Sequence, residues 1–137
     1  EAGRFLAAKK FATAMMDLSD GLAADLPRLL DASQRGVRLE AAAIPLSRAA
    51  RKTPHPLRHA LGDGEDFELL FTVAPRNRAR FEAAWKRNFP ELPASCIGAI
   101  LANPKQRLIL LPDGSSAPFH PGGYQHFLSH PSPAKRP

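Results

Sequence analysis

The chain has a single cysteine, a single tryptophan and a single tyrosine among its 137 residues. One cysteine excludes an intrachain disulfide, so no covalent staple holds this fold. Cys96 lies in the apolar run Cys96-Ile97-Gly98-Ala99-Ile100-Leu101, where a small buried hydrophobe is the expected role. No apolar run approaches the ~20 residues that span a bilayer, and no basic n-region followed by an apolar h-region opens the chain. The expectation is a soluble protein of a reducing compartment, the cytoplasm, with no membrane partner. Internal repeats are missing, and so is any block of basic residues interleaved with aromatics. The 19 Lys and Arg against 13 Asp and Glu give a net charge of +6, which invites an anionic partner. Because the cations are dispersed, a solvated basic surface and no nucleic-acid partner is the reading. The chain does not begin with Met, and residues 1–10 read as the last turns of a helix, so a piece of something longer is expected.

What is present suits one globular domain. Apolar residues make up 44% of the chain and charged residues 23%, values that support a single core and exclude wholesale disorder. The 14 prolines are about twice the ordinary ~5% share, and many fall in loops or in the tail. The expected layout is a domain over 1–130 and a disordered tail over 131–137.

The organising stretch is Asp17-Leu18-Ser19-Asp20-Gly21. It follows a short apolar strand candidate, Phe11 to Met16, and precedes leucines at 22, 26, 29 and 30, which fall on one helical stripe. Two carboxylates, a hydroxyl and a glycine thus stand where a strand hands over to a helix. The free N–H groups and positive dipole end of a helix attract anions, and nearby carboxylates can carry the Mg²⁺ that accompanies nucleotide phosphates. The plain alternative is helix capping by Ser or Asp. Pro27 predicts either a regular helix that starts near Asp25 or a kink.

Gly36 should end that helix, and the residues from Val37 to Ile44 can form a strand with Arg38 and Glu40 facing water. Pro45 to Ala50 suits a short helix, and Thr53 to Pro56 a loop. His55 and His59 lie four apart but read as surface histidines. The second informative stretch is Leu61-Gly62-Asp63-Gly64-Glu65-Asp66-Phe67, a flexible turn that brings acids to the mouth of a strand over Phe67 to Val73, with Glu68 facing solvent. Such acids could hold metal or a cationic ligand, or could simply be solvated. A proline-started amphipathic helix follows from Pro75 to Asn88, with Phe81, Ala84 and Trp85 inward and Arg76, Arg78, Arg80, Lys86 and Arg87 outward. Strands are expected at Cys96 to Leu101 and Arg107 to Leu111, and Gly122-Gly123-Tyr124-Gln125-His126-Phe127 as a glycine turn entering a short helix. With irregular crossovers, and the third and fourth strands read as antiparallel, the expected class is α+β, a mixed β-sheet covered by helices.

Four stretches, Ala12 to Ser33, Ala60 to Val73, Cys96 to Ile100 and Gly122 to Phe127, occur in the order in which similar runs occur in the C-terminal half of the thiamine-monophosphate kinase family. This family belongs to the aminoimidazole ribonucleotide synthetase superfamily, and the fold of its C-terminal domain is what the resemblance implies here. The activity implied is transfer of the γ-phosphoryl of ATP to thiamine monophosphate, with ATP and Mg²⁺ required. Matched residue by residue, Asp17 and Asp20 stand at Mg²⁺ ligands and Ser19 at a nucleotide contact. Glu65 stands at a substrate-binding acid and Tyr124 at the ring that contacts thiamine. The family's N-terminal half, which mediates homodimerisation and carries most of the nucleotide site, has no counterpart in these residues, so the chain alone is expected to be inactive. Two alternatives remain open. One is another ATP-dependent member of the superfamily, acting in selenophosphate synthesis, hydrogenase maturation or purine synthesis. The other is a non-catalytic basic module that binds through the Arg76 to Arg87 helix.

Overall fold

The computed structural model describes residues 1–63 and 68–121. In chain order the elements are α1 (Ala2–Ala8), β1 (Ala12–Leu18), α2 (Leu22–Ser33), β2 (Gly36–Glu40), α3 (Pro56–Gly62), β3 (Glu68–Val73), α4 (Arg78–Asn88), β4 (Gly98–Leu101), β5 (Arg107–Leu110) and β6 (Ser116–Pro118), with 3₁₀ turns at Ala41–Ala43, Ala50–Lys52 and Pro75–Asn77. The strands form an antiparallel ribbon of β1 and β3, and a four-stranded sheet ordered β4-β2-β5-β6. In that sheet β2 runs antiparallel to β4 and parallel to β5, while β5 and β6 are antiparallel. The class is α+β with mixed pairing.

Two apolar clusters hold these layers. The leucine stripe of α2 forms the first: Leu22, Leu26 and Leu30 are buried with Val37 and Leu39 of β2, Ile109 of β5, Leu61 of α3 and Phe119. The second is aromatic, with Leu6, Phe11, Phe81 and Trp85 buried and Phe5, Leu69, Phe71, Val73 and Phe89 packed against them. Trp85 sits 4.8 Å from Phe89 and 5.9 Å from Phe71, centroid to centroid, and its indole N–H donates to the Leu92 carbonyl at 2.8 Å.

The β1–β3 ribbon serves both clusters because side chains alternate along a strand. Leu69, Phe71 and Val73 pack on the aromatic cluster, whereas Leu70 packs on the leucine cluster. A register shift between Ala12 and Ala14 reverses the facing of β1 at that point, as an extra residue in a strand must. It lets Ala12 join the aromatic cluster and Leu18 the leucine cluster, though the two are an even number of residues apart.

Local details differ from the sequence reading in instructive places. The helix after the acidic motif starts at Leu22 and runs through Pro27, so the start near Asp25 is not adopted. Pro27 offers no N–H to the Ala23 carbonyl, and the apolar burial of this helix outweighs that loss. Gln34, in the left-handed conformation at φ 50° and ψ 53°, ends the helix, and Gly36 instead opens β2. A Cβ on Gly36 would stand 2.1 Å from the Asn103 carbonyl oxygen, a contact that only glycine allows. The strand stops at Glu40, with Arg38 and Glu40 exposed as expected. Pro45 to Ala50 is not helical; a 3₁₀ turn comes at Ala50–Lys52. The third and fourth strands do not pair with each other: β3 joins β1 and β4 joins β2, each antiparallel. Cys96 is exposed, because β4 begins only at Gly98 and lies at the sheet edge. Gly122 to Phe127 and the tail 131–137 lie outside the described residues.

Candidate functional site

The antiparallel pairing of β1 and β3 fixes where the two acidic stretches stand. Leu18, the last residue of β1, pairs with Glu68, the first of β3. The chain leaving β1 and the chain entering β3 therefore share one end of the ribbon. Gly21 closes the remaining gap. It has φ +94°, and a Cβ built on it would lie 3.1 Å from the Leu61 carbonyl oxygen and 3.2 Å from that of Asp63. The backbone of the Asp17–Gly21 run thus rests directly on the segment that opens the Gly-Asp-Gly turn.

Asp17, Ser19 and Asp20 are all exposed at this end, as are Asp63 and Glu68. Asp17 pairs with Leu69 across the ribbon. Asp63 accepts from His59 Nδ1 at 3.0 Å, which makes His59 a neighbour of the acidic loop; His55 precedes α3 at its N-cap position, with no capping bond from its side chain. The expected substrate residues Glu65 and Tyr124 lie outside the described residues.

The residue that organises the loop is one that reasoning from sequence motifs misses. Asp25, in the first turn of α2, is fully buried. Its Oδ2 accepts the backbone N–H of both Ser19 and Asp20 at 2.9 Å. Arg28 Nη1 donates to Asp25 Oδ1 at 2.7 Å and to Asp20 Oδ2 at 2.8 Å. Burial by itself would push the Asp25 carboxyl upward. The N–H groups of Asp20 and Ser19, together with the Arg28 guanidinium, outweigh it and hold the carboxyl below its usual range. The same contacts raise Arg28, through its hydrogen bond to Asp20 first. The chain does carry a signal for Asp25: three residues after Leu22 and four before Leu29, it falls on the core-facing stripe, where an acid needs partners.

These bonds alter the expected chemistry. The N–H groups of Ser19 and Asp20 are already committed to Asp25, and those of Ala24 and Asp25 to the Gly21 carbonyl at 3.0 Å. The junction is therefore built less as a nest of free amides for phosphate than as a platform that presents Asp17, Ser19 and Asp20 outward. The donor set is of the kind a hard cation takes, two exposed carboxylates with a hydroxyl between them. Among the described residues no three His, Cys, Asp or Glu form a metal-holding cluster, so Asp17, Ser19 and Asp20 would supply only part of a cation's oxygen shell. The Arg28–Asp20 pair is well exposed on both sides, and such a pair contributes only ~0–1 kcal/mol, so it leaves Asp20 available. Two grooves of about 230 and 240 Å³ lie elsewhere, along α4, and neither is lined by the acidic loop.

A helix-covered mixed sheet with an acidic strand-to-helix junction at the end of a two-stranded ribbon is the domain class this geometry defines. Residues 1–111 match the family described as AIR synthase related protein, C-terminal domain, and the chain belongs to that family. Among individual proteins it is 37% identical over 126 residues to the thiamine-monophosphate kinase of Escherichia coli K12, covering 90% of this chain and 38% of that one. It is 47% identical over 75 residues to the enzyme of that name from Rhodopirellula baltica, covering 51% and 24%. Of solved structures, thiamine-monophosphate kinase from Stenotrophomonas maltophilia superposes with a TM-score of 0.67 at 32% identity, covering 82% of this chain and 34% of that chain. AaThiL complexed with AMPPCP and TMP superposes with a TM-score of 0.61 at 29% identity, covering 90% and 36%. The chain spans well under half the length of these relatives. No helix among the described residues is long and apolar enough to cross a membrane.

Proposed function

We propose that this chain is the C-terminal part of a thiamine-monophosphate kinase, which moves the γ-phosphoryl of ATP onto the phosphate of thiamine monophosphate in the cytoplasm. The observation that carries this reading is the close approach of Gly21 to the Leu61–Asp63 backbone, where a Cβ would lie 3.1–3.2 Å from the carbonyl oxygens, which brings the two acidic stretches to one end of the ribbon. The similarity to thiamine-monophosphate kinases along 90% of the chain supports the substrate, and the AaThiL complex with AMPPCP and TMP supports the pair of reactants.

In this reading Asp17 and Asp20 hold Mg²⁺ through their exposed carboxylates, and the Ser19 hydroxyl touches the nucleotide. Bound there, Mg²⁺ supplies charge neutralisation for the phosphates. Glu65 and Tyr124 receive the cationic thiazolium, the acid by charge and the ring through its negative face. The protein's share of phosphoryl transfer is alignment and electrostatics rather than covalent chemistry. A rigid loop carrying exposed acids suits that task. The N-terminal half of such a kinase provides the rest of the nucleotide site and the homodimer contact, so the 137-residue chain alone is inactive.

The test is phosphorylation of thiamine monophosphate by a longer polypeptide that contains this chain. Turnover is expected there and not in the isolated chain, with Asp17→Asn and Asp20→Asn each lowering kcat/KM by ~10²-fold or more. Activity on a selenium, carbamoyl or purine substrate without activity on thiamine monophosphate would overturn the substrate. Full activity in both aspartate variants would overturn the metal role.

A further inference from the structure

The one fully buried acid of the described core stands behind the loop that carries the proposed metal ligands. We propose that Asp25 is a positioning residue for those ligands, and that Arg28 is an exchangeable counter-ion which Asp25 anchors and a divalent cation displaces from Asp20. The inference rests on the metal role proposed for Asp17 and Asp20.

Both carboxylate oxygens of Asp25 are satisfied, and each does a different job. Oδ2 takes two successive backbone N–H groups, Ser19 and Asp20, at 2.9 Å. Two bonds from adjacent peptides to one oxygen fix the orientation of both peptide planes, and with them the directions in which the Ser19 and Asp20 side chains leave the backbone. Gly21, next in sequence, lies so close to the 61–63 backbone that a Cβ built on it would stand 3.1–3.2 Å from those backbone atoms. The loop is thus held at its midpoint by a buried charge, and at its end the backbone packing leaves no room for a side chain. Oδ1 of the same carboxylate is left for Arg28, whose single Nη1 is shared with Asp20 Oδ2.

This sharing gives Arg28 two unequal partners. Asp25 is inaccessible, so a cation cannot compete for it. Asp20 is 57% exposed in its side chain, so a cation can. If Asp20 turned to a divalent cation, Arg28 would remain tethered at Asp25 Oδ1, and the Nη1 hydrogen it now gives to Asp20 would be released. A phosphate oxygen is the group that both charges would then attract. In the free protein Arg28 offsets the repulsion of an acidic loop, and in the loaded one it faces the anion.

The experiment uses the 137-residue chain with Mn²⁺ as the probe, reading line broadening at the Ser19 and Asp20 amides, amide hydrogen exchange and thermal melting for wild type, Asp25→Ala, Asp25→Asn and Arg28→Gln. Partners behind metal ligands typically change affinity ~10–100-fold, so Asp25→Ala is expected to weaken Mn²⁺ by about tenfold or more and to speed exchange at Ser19 and Asp20. Asp25→Asn keeps an oxygen for the two N–H groups but loses the anchor for Arg28; a smaller loss is expected. Arg28→Gln removes the competitor at Asp20 and is expected to strengthen Mn²⁺ up to about fivefold, the equivalent of ~1 kcal/mol, with little change in melting. A merely structural role for Asp25 would lower the melting temperature and leave the affinity of the folded protein unchanged, which overturns the inference. Weaker Mn²⁺ binding in Arg28→Gln also overturns it. If Asp25→Ala does not fold, Asp25→Asn decides by the same criteria. If wild type shows no broadening by Mn²⁺, the proposed metal role fails first. Exchange at the two amides then decides positioning: faster exchange in the Asp25 variants supports it and wild-type exchange overturns it.

Discussion

Gly21→Ala is the substitution that most directly probes how the two acidic stretches are joined. Gly21 has φ +94° and ψ 157°, a region essentially restricted to glycine, where a side chain costs ~1–3 kcal/mol of backbone strain. The added Cβ would also meet two carbonyl oxygens at 3.1 and 3.2 Å and the Gly62 carbonyl carbon at 3.2 Å. All three are backbone atoms, so relief requires the Leu61–Asp63 segment to move. Together these effects predict a loss of about 2–4 kcal/mol, a large fraction of the ~5–15 kcal/mol typical of a domain. Gly62→Ala is the matched control. Nothing lies within 4 Å of its Cβ, and at the end of α3 alanine should be neutral or stabilising by up to ~1 kcal/mol. Urea unfolding followed by the fluorescence of the single tryptophan measures both. A Gly21→Ala loss below ~1 kcal/mol, or one equal to that of Gly62→Ala, would refute the claim that this contact locks the two loops together.

Further outcomes follow from two buried groups. Asp25 is held below its usual carboxylate range, so its contribution to stability is complete above the unfolded aspartate value of ~4 and is lost as pH falls through the lower folded value. Asp25→Asn should therefore flatten the acid limb of a stability-versus-pH curve without altering its shape near neutrality, as urea midpoints across about pH 2.5–7 would reveal; an unchanged acid limb would contradict the assignment. Trp85→Ala should cost ~3–5 kcal/mol, since the indole is packed among Phe5, Phe71, Phe81 and Phe89. Trp85→Phe, which keeps a ring but leaves the Leu92 carbonyl without its donor, should cost ~1–3 kcal/mol by the same urea titration followed by circular dichroism.

Elements whose signal repeats along the chain are legible in the sequence. The leucine stripe of α2 and the inward Phe81 and Trp85 of α4 are readable as period, and the burial agrees; the apolar β3 is readable too, though its apolar residues are only half-buried. The strand-to-helix handover at Asp17–Gly21 is readable for the same reason. The place of Pro27 inside a continuous helix is not, because proline's local cost is visible in the chain and the burial that overrides it is not. Nor is the exposure of Cys96, whose apolar neighbours say nothing about lying ahead of an edge strand.

The sequence by itself determined which residues could be strand, helix or acidic junction, because side-chain period and backbone preference are local properties of the chain. Only the tertiary structure decided which elements meet. It set the register that puts Leu18 opposite Glu68, the close approach of Gly21 to the 61–63 backbone, and the burial that turns Asp25 from one acid among thirteen into the acceptor that fixes the loop. Those choices depend on packing between segments far apart in the chain, where no periodicity within one segment carries the information.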